Sequence, residues 1–135
     1  MKLSVTAEKQ PWPNLVAMFF DRVKHNGDKP FLWSKKESKY ESLSWNDTAN
    51  QVCQLAIDLR SLGVTKGSRV LLVSENRPEW LIADIAIMAI GAITVPAYTT
   101  NTEADHCHII EDSGSMLAIV SNSKLTEKVI PASKR

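Results

Sequence analysis

Three short apolar runs, Val70-Leu71-Leu72-Val73, Ile93-Thr94-Val95-Pro96-Ala97 and Met116-Leu117-Ala118-Ile119-Val120, are each separated by a stretch long enough for one helix. An apolar run without polar alternation is a strand covered on both faces. When a helix intervenes between two such strands they pair in parallel, through right-handed crossovers. The fold class expected is therefore α/β, with a three-strand parallel βαβαβ layer covered by helices on both sides. The first crossing helix, residues 78–90, opens on Pro78, which suits a first helical turn. It is apolar nearly all round, so it belongs deep in the core. The second opens at Thr102-Glu103-Ala104-Asp105, and Ser113-Gly114 ends it.

Ahead of this layer, residues 14–25 place apolar side chains at 15, 16, 18, 19, 20 and 23 behind a capping Asn14, with Gly27 as the stop. Phe31-Leu32-Trp33 and Tyr40-Glu41-Ser42-Leu43-Ser44-Trp45 flank the charged turn Lys35-Lys36-Glu37-Ser38-Lys39, which predicts a hairpin. In the next helix Ser44 and Asp47 stand at capping-box spacing. Trp45, Ala49, Val52, Ala56 and Leu59 then recur at steps of four, three, four and three and build one apolar face. Gly63 closes that helix in a left-handed C′ position, with Val64 folding back onto its last turn. After Val120, residues 124–130 read as a helix ended by Pro131. Three parallel strands leave an open edge at the last of them, so the chain is expected to self-associate and to be an incomplete part of a larger domain. The expected organisation is a single subdomain over residues 1–135, with 1–13 as a flexible leader.

Composition excludes several functions. Sixteen Lys+Arg against 15 Asp+Glu leave a net charge of +1, with no basic stripe for nucleic acid. The 5 glycines, at 27, 63, 67, 91 and 114, form neither G-x-G-x-x-G nor a P-loop, so no phosphate cradle is legible. Between Trp80 and Tyr98 the one charge is Asp84, a run near the length of a membrane span. Gly91 and Pro96 interrupt it, and it reads as a buried helix followed by a buried strand. Cys53 and Cys107 fall within helices, where small apolar thiols are expected in the core of a reduced, cytoplasmic protein.

His106-Cys107-His108, with Glu103, Asp105, Glu111 and Asp112, is the cluster closest to a metal site. Consecutive helical residues point about 100° apart, so these side chains do not converge. The expectation is a solvated helix with Cys107 turned inward. Glu79 is read as favouring the helix N-terminal dipole, and Asp84 as partly buried and paired with Arg or Lys. Ser113-Gly114-Ser115 lacks the strand and spacing of a nucleophile elbow. The loops at the carboxyl ends of the strands, residues 74–77, 98–101 and 121–123, offer hydroxyls and amides with Arg77 as their one cation, which is thin for a nucleotide. No catalytic, cofactor-binding or metal-ligating residue is assigned.

Leu62-Gly63-Val64, Lys66-Gly67-Ser68-Arg69-Val70, Ser74-Glu75-Asn76-Arg77-Pro78-Glu79-Trp80, Ile90-Gly91-Ala92, Val95-Pro96-Ala97-Tyr98 and Ile110-Glu111-Asp112-Ser113-Gly114 occur in one order. That order and spacing resemble the start of the AMP-forming acyl-CoA synthetases, the adenylating family that includes luciferases and peptide-synthetase adenylation domains. Glu-Asn-Arg-Pro-Glu-Trp followed by Val-Pro-Ala-Tyr is most similar to the long-chain fatty acid branch. Ser68 departs from the family's usual Asp, and Ser115 from its usual Ala. The resemblance implies an ATP-dependent ligase in which a fatty acid carboxylate attacks the α-phosphate with Mg²⁺, and coenzyme A thiolate then displaces AMP. It also places the family's phosphate loop, adenine motif, hinge and catalytic Lys after this segment. The fragment is therefore expected to be inactive alone and to bind none of these cofactors. Its partner would be the remainder of the synthetase chain, with peripheral membrane contact of the full-length enzyme left open. The competing reading is a free-standing small-ligand or protein-interaction module.

Overall fold

The apolar runs form β3 (Arg69–Val73), β4 (Ile93–Ala97) and β5 (Leu117–Val120) of one parallel sheet, with β3 in the middle. This computed structural model describes residues 11–134; residues 1–10, which make up most of the expected leader, and residue 135 lie outside the described residues. Arg69 pairs with Ile93 and Val73 with Ala97 on one side, while Val70 pairs with Leu117 and Val73 with Val120 on the other. Pleating sends alternate β3 side chains to opposite faces. Leu71 and Val73 pack with Ile109 and Ile110 of α4 (Glu103–Ser113) and with Leu125 and Val129 of α5 (Ser123–Ala132). Val70 packs on the other face with α2 (Trp45–Ser61) and α3 (Pro78–Ala89). The four residues from Val70 to Val73 are all buried, and each contributes roughly 1.5–3 kcal/mol relative to exposure. A one-residue slip would exchange the two faces, so this strand sets the register of the sheet.

The flanking sequence forms α1 (Leu15–Asn26) and a hairpin of β1 (Pro30–Lys36) and β2 (Lys39–Ser44). Asn14 caps α1, its Oδ1 accepting from the Ala17 N–H at 2.8 Å. The hairpin turn is tighter than the charged stretch suggests, since Lys36 pairs directly with Lys39. Only Glu37 and Ser38 make the bend, and Glu37 takes φ +53°. Phe31 stacks on Trp45 with ring centroids 3.6 Å apart, and Phe19 lies 6.1 Å from Trp45. This aromatic cluster ties α1 and the hairpin to α2. Ahead of α1, the Arg22 guanidinium lies 4.7 Å over the Trp12 ring.

The capping box of α2 forms as read: Asp47 N–H donates to Ser44 Oγ at 3.0 Å, and Ser44 N–H donates to the Asp47 carboxylate at 3.2 Å. At the other end Gly63 takes φ +88°. There Val64 N–H reaches the Leu59 carbonyl and Gly63 N–H the Arg60 carbonyl, both at 3.0 Å. That pair of bonds is a Schellman motif, and buried Val64 and Leu59 supply its apolar contact. The end of α3 repeats it through Ala92 N–H to the Ile87 carbonyl and Gly91 N–H to the Met88 carbonyl.

Four expectations are corrected. Cys53 is exposed, because the face of α2 that docks carries Thr48, Ala49, Val52 and Leu59 instead. Cys107 is half-buried, and the inward side chain of its helix is His106, at 0% exposure. The last helix runs through Pro131 to Ala132. Proline removes a donor there, yet the Val129 and Pro131 carbonyls still accept from Ser133 and Lys134 N–H groups. Met116 lies outside β5 and is 53% exposed.

Candidate functional site

In a doubly wound sheet a ligand crevice opens where two neighbouring strands send their loops to opposite faces. Here that point lies between β3 and β5. Ser74 to Arg77 leads from β3 to α3 on one face, and Ser121 and Asn122 lead from β5 to α5 on the other. A concavity of about 210 Å³ sits at this position, lined by Leu72, Ser74, Arg77, Trp80, Val120 and Ser121 among others. It is smaller than the roughly 300–1,000 Å³ usual for small-molecule sites.

Its polar groups are committed to one another. Ser121 Oγ donates to the Glu75 carboxylate at 2.5 Å, and Asn122 Nδ2 donates to the same carboxylate at 2.8 Å. These bonds tie the loop after β3 to the loop after β5. The Ser121 hydroxyl, first among several donors, holds the Glu75 carboxyl below the usual carboxylate range. Asn122 also accepts from Leu125 N–H at 3.0 Å and so caps α5. Arg77 makes a two-point bond to Glu79, Nε at 2.8 Å and Nη2 at 3.0 Å. That pairing lowers the Glu79 carboxyl and raises the Arg77 guanidinium, each relative to its ordinary value. The single cation of the strand-end loops is thus matched by a carboxylate two residues away, and Glu75 adds a second negative group. Around this concavity two carboxylates, Glu75 and Glu79, accompany the one guanidinium of Arg77, a balance that does not favour a triphosphate there.

The remaining candidates are dispersed. Asp84 is half-buried on α3, and among the described residues no Arg or Lys forms an ion pair with it. On α4, His106 faces α5 while His108 is exposed, and Cys107 Sγ lies 3.6 Å from the Glu111 carboxylate. Among the described residues no three His, Cys, Asp or Glu side chains group as metal ligands do. No helix among them is long and apolar enough to cross a membrane. Two residues carry more than their sequence context suggests. Glu75 is the clasp between loops 46 and 47 residues apart. Arg69, at the opposite end of β3, caps α4 by donating Nε to the Ser113 carbonyl at 2.6 Å. No local motif announces either one.

Comparison with known proteins gives this geometry a lineage. The sequence profile of the family described as AMP-binding enzyme matches residues 19–135. The long-chain-fatty-acid–CoA ligase FadD15 of Mycobacterium tuberculosis is 34% identical over 104 residues, covering 77% of this chain and 17% of that protein. The long-chain-fatty-acid–CoA ligase ACSBG2 of Xenopus laevis is 28% identical over 114 residues, covering 84% of this chain and 15% of its own length. The chain thus spans about a sixth of the curated relatives it matches. Among solved structures, a benzoate CoA ligase from Burkholderia xenovorans LB400 superposes with TM-score 0.79 at 23% identity, over 90% of this chain and 24% of that one. At that identity the likeness shows the fold.

Proposed function

This chain belongs to the AMP-binding enzyme family, and from that premise we propose that it is the N-terminal subdomain of a fatty acid CoA ligase acting on long-chain acids. The reaction would join a fatty acid to AMP at the expense of ATP and then pass the acyl group to coenzyme A. The observation that carries the reading is the family match over residues 19–135. The long-chain assignment is supported by the FadD15 and ACSBG2 relatives.

Within such an enzyme this segment acts as scaffold. Its parallel layer supports chemistry supplied by other chain, which would pack against it. The strand-end crevice supports that role, since the Glu75 clasp and the Arg77–Glu79 pair leave no positive cradle for a triphosphate. No step of the reaction is routed through a residue of this chain.

Melting measurements test the proposal. A ligand at a hundred times its dissociation constant stabilises the native state by about 2.7 kcal/mol. For a domain of this size that corresponds to a rise of several degrees. Millimolar Mg-ATP, with or without a fatty acid, is expected to leave the melting temperature of the 135-residue chain unchanged. A reproducible rise of about 5 °C beyond that given by sulfate of equal ionic strength would overturn the scaffold role and revive a free-standing nucleotide module. The enzyme that carries this chain should release pyrophosphate with long-chain fatty acids. Release with benzoate alone would refute the substrate class.

A further inference from the structure

We propose that the packing of α4 on α5 is an acid-sensitive latch, closed while the His106 ring is neutral and released when it takes up a proton. His106 is the one imidazole of the chain that is wholly buried, at 0% exposure. Neither Nδ1 nor Nε2 has a hydrogen-bond partner among the described residues. An imidazole in that state tolerates neutrality at a modest desolvation cost but has no acceptor for the second N–H of the charged form. The ring sits on the face of α4 that carries Ile109 and Ile110, which pack against Leu125 and Val129 of α5. Separating the two helices is therefore the simplest way to bring water to it.

The charges around the ring favour the same outcome. From α5 the facing group is Lys128, half-buried, with its Nζ donating to the Asn101 carbonyl at 3.2 Å. An ammonium held there repels an imidazolium. The other charged residues of α5, Lys124 and Glu127, are exposed. The strand β4, which also packs on α4, contributes no ionisable side chain. On α4 itself Asp105 attracts the ring, and Glu103, half-buried, stands one turn before it. The Asp105 carboxylate is already taken by the helix cap, accepting from Thr102 N–H and Oγ1, both at 2.8 Å. Reaching for a charged His106 would open that cap and fray the start of the same helix. Burial, and after it the Lys128 charge, push the His106 ring below the ordinary histidine value. Opening accordingly takes up a proton, and the open population grows as pH falls below about 6.5.

Hydrogen exchange of the 135-residue chain, measured peptide by peptide between pH 7.5 and 5 and corrected for intrinsic rates, reads the latch directly. Protection over Glu103–Ser113 and Ser123–Ala132 should fall by up to about tenfold per pH unit below about 6.5, while α2 and α3 stay level. In His106→Leu both segments should stay protected across the range. A uniform loss across all helices would overturn the proposal, as would a His106→Leu chain that keeps the acid-dependent loss. The ring proton resonance of His106 in the unsubstituted chain gives an answer independent of any variant's folding. Titration below about 6.5 supports the latch, and titration at or above that value refutes it.

Discussion

Replacing Gly63 with valine isolates the backbone from every other contribution to the end of α2. The residue sits at φ +88°, a conformation that side chains of L-amino acids rarely adopt. A Cβ added there meets nothing within 4 Å, so no steric clash contributes. The cost is then the conformational strain of a β-branched residue, about 1–3 kcal/mol. The unfolded chain loses some freedom when glycine is replaced, which offsets about 0.4–1 kcal/mol. The balance for Gly63→Val is about 1–2 kcal/mol of destabilisation. With an unfolding entropy of about 2.1 cal/mol/K per residue, this lowers Tm by about 4–7 °C. Thermal unfolding followed by circular dichroism, with denaturant titration as a check on the slope, measures it. Gly63→Asn should cost clearly less, because asparagine tolerates the left-handed region. If valine and parent melt within about 1 °C of each other, the Schellman reading of this helix end is wrong.

At Gly114 the same logic acquires a steric part, because an added Cβ would lie 2.6 Å from Arg69 Nη2. Gly114→Ala should therefore cost about 1 kcal/mol more than Gly63→Ala, and the excess should vanish in an Arg69→Ala background; additive melting shifts would refute the coupling. The caps make acid sensitivity predictable in sign. Asp47 and Asp105 are held below the usual carboxylate range, first by the Ser44 side chain and the Thr102 backbone respectively. Their contribution is complete above about pH 4 and is lost as pH falls through the lowered values. Asp47→Asn should flatten the acid limb of a melting series from pH 7 to pH 2, and an unchanged limb would show that the α2 cap contributes nothing. The free edge of β5 predicts concentration-dependent self-association, which Ala118→Lys should suppress, since Ala118 is exposed on that strand. Sedimentation as a monomer at all concentrations would show that the edge is covered.

Whatever depends on neighbours within a few residues was legible in the amino-acid sequence. Ser44 with Asp47 and Thr102 with Asp105 formed reciprocal caps because a side chain three positions on is within reach of its own helix start. Gly63 ended α2 for an equally local reason. The unbroken apolar run from Val70 to Val73 required cover on both faces, and together with the helices between the strands it selected a parallel layer. The family kinship was legible too, because several weak signatures fell in one order. Residue type did not tell which member of His106-Cys107-His108 would point inward. Ile109 and Ile110 had to meet Leu71 and Val73, and a period of 3.6 then carried position 106 to the same face. Cys53 lost its expected burial in the same way, as the docked face of α2 lay elsewhere on the helix. The strand order β4-β3-β5 and the Glu75 clasp also belong to tertiary structure. Local chemistry acts over one helical turn, whereas the Glu75 clasp joins groups 46 residues apart that meet only once the sheet has assembled.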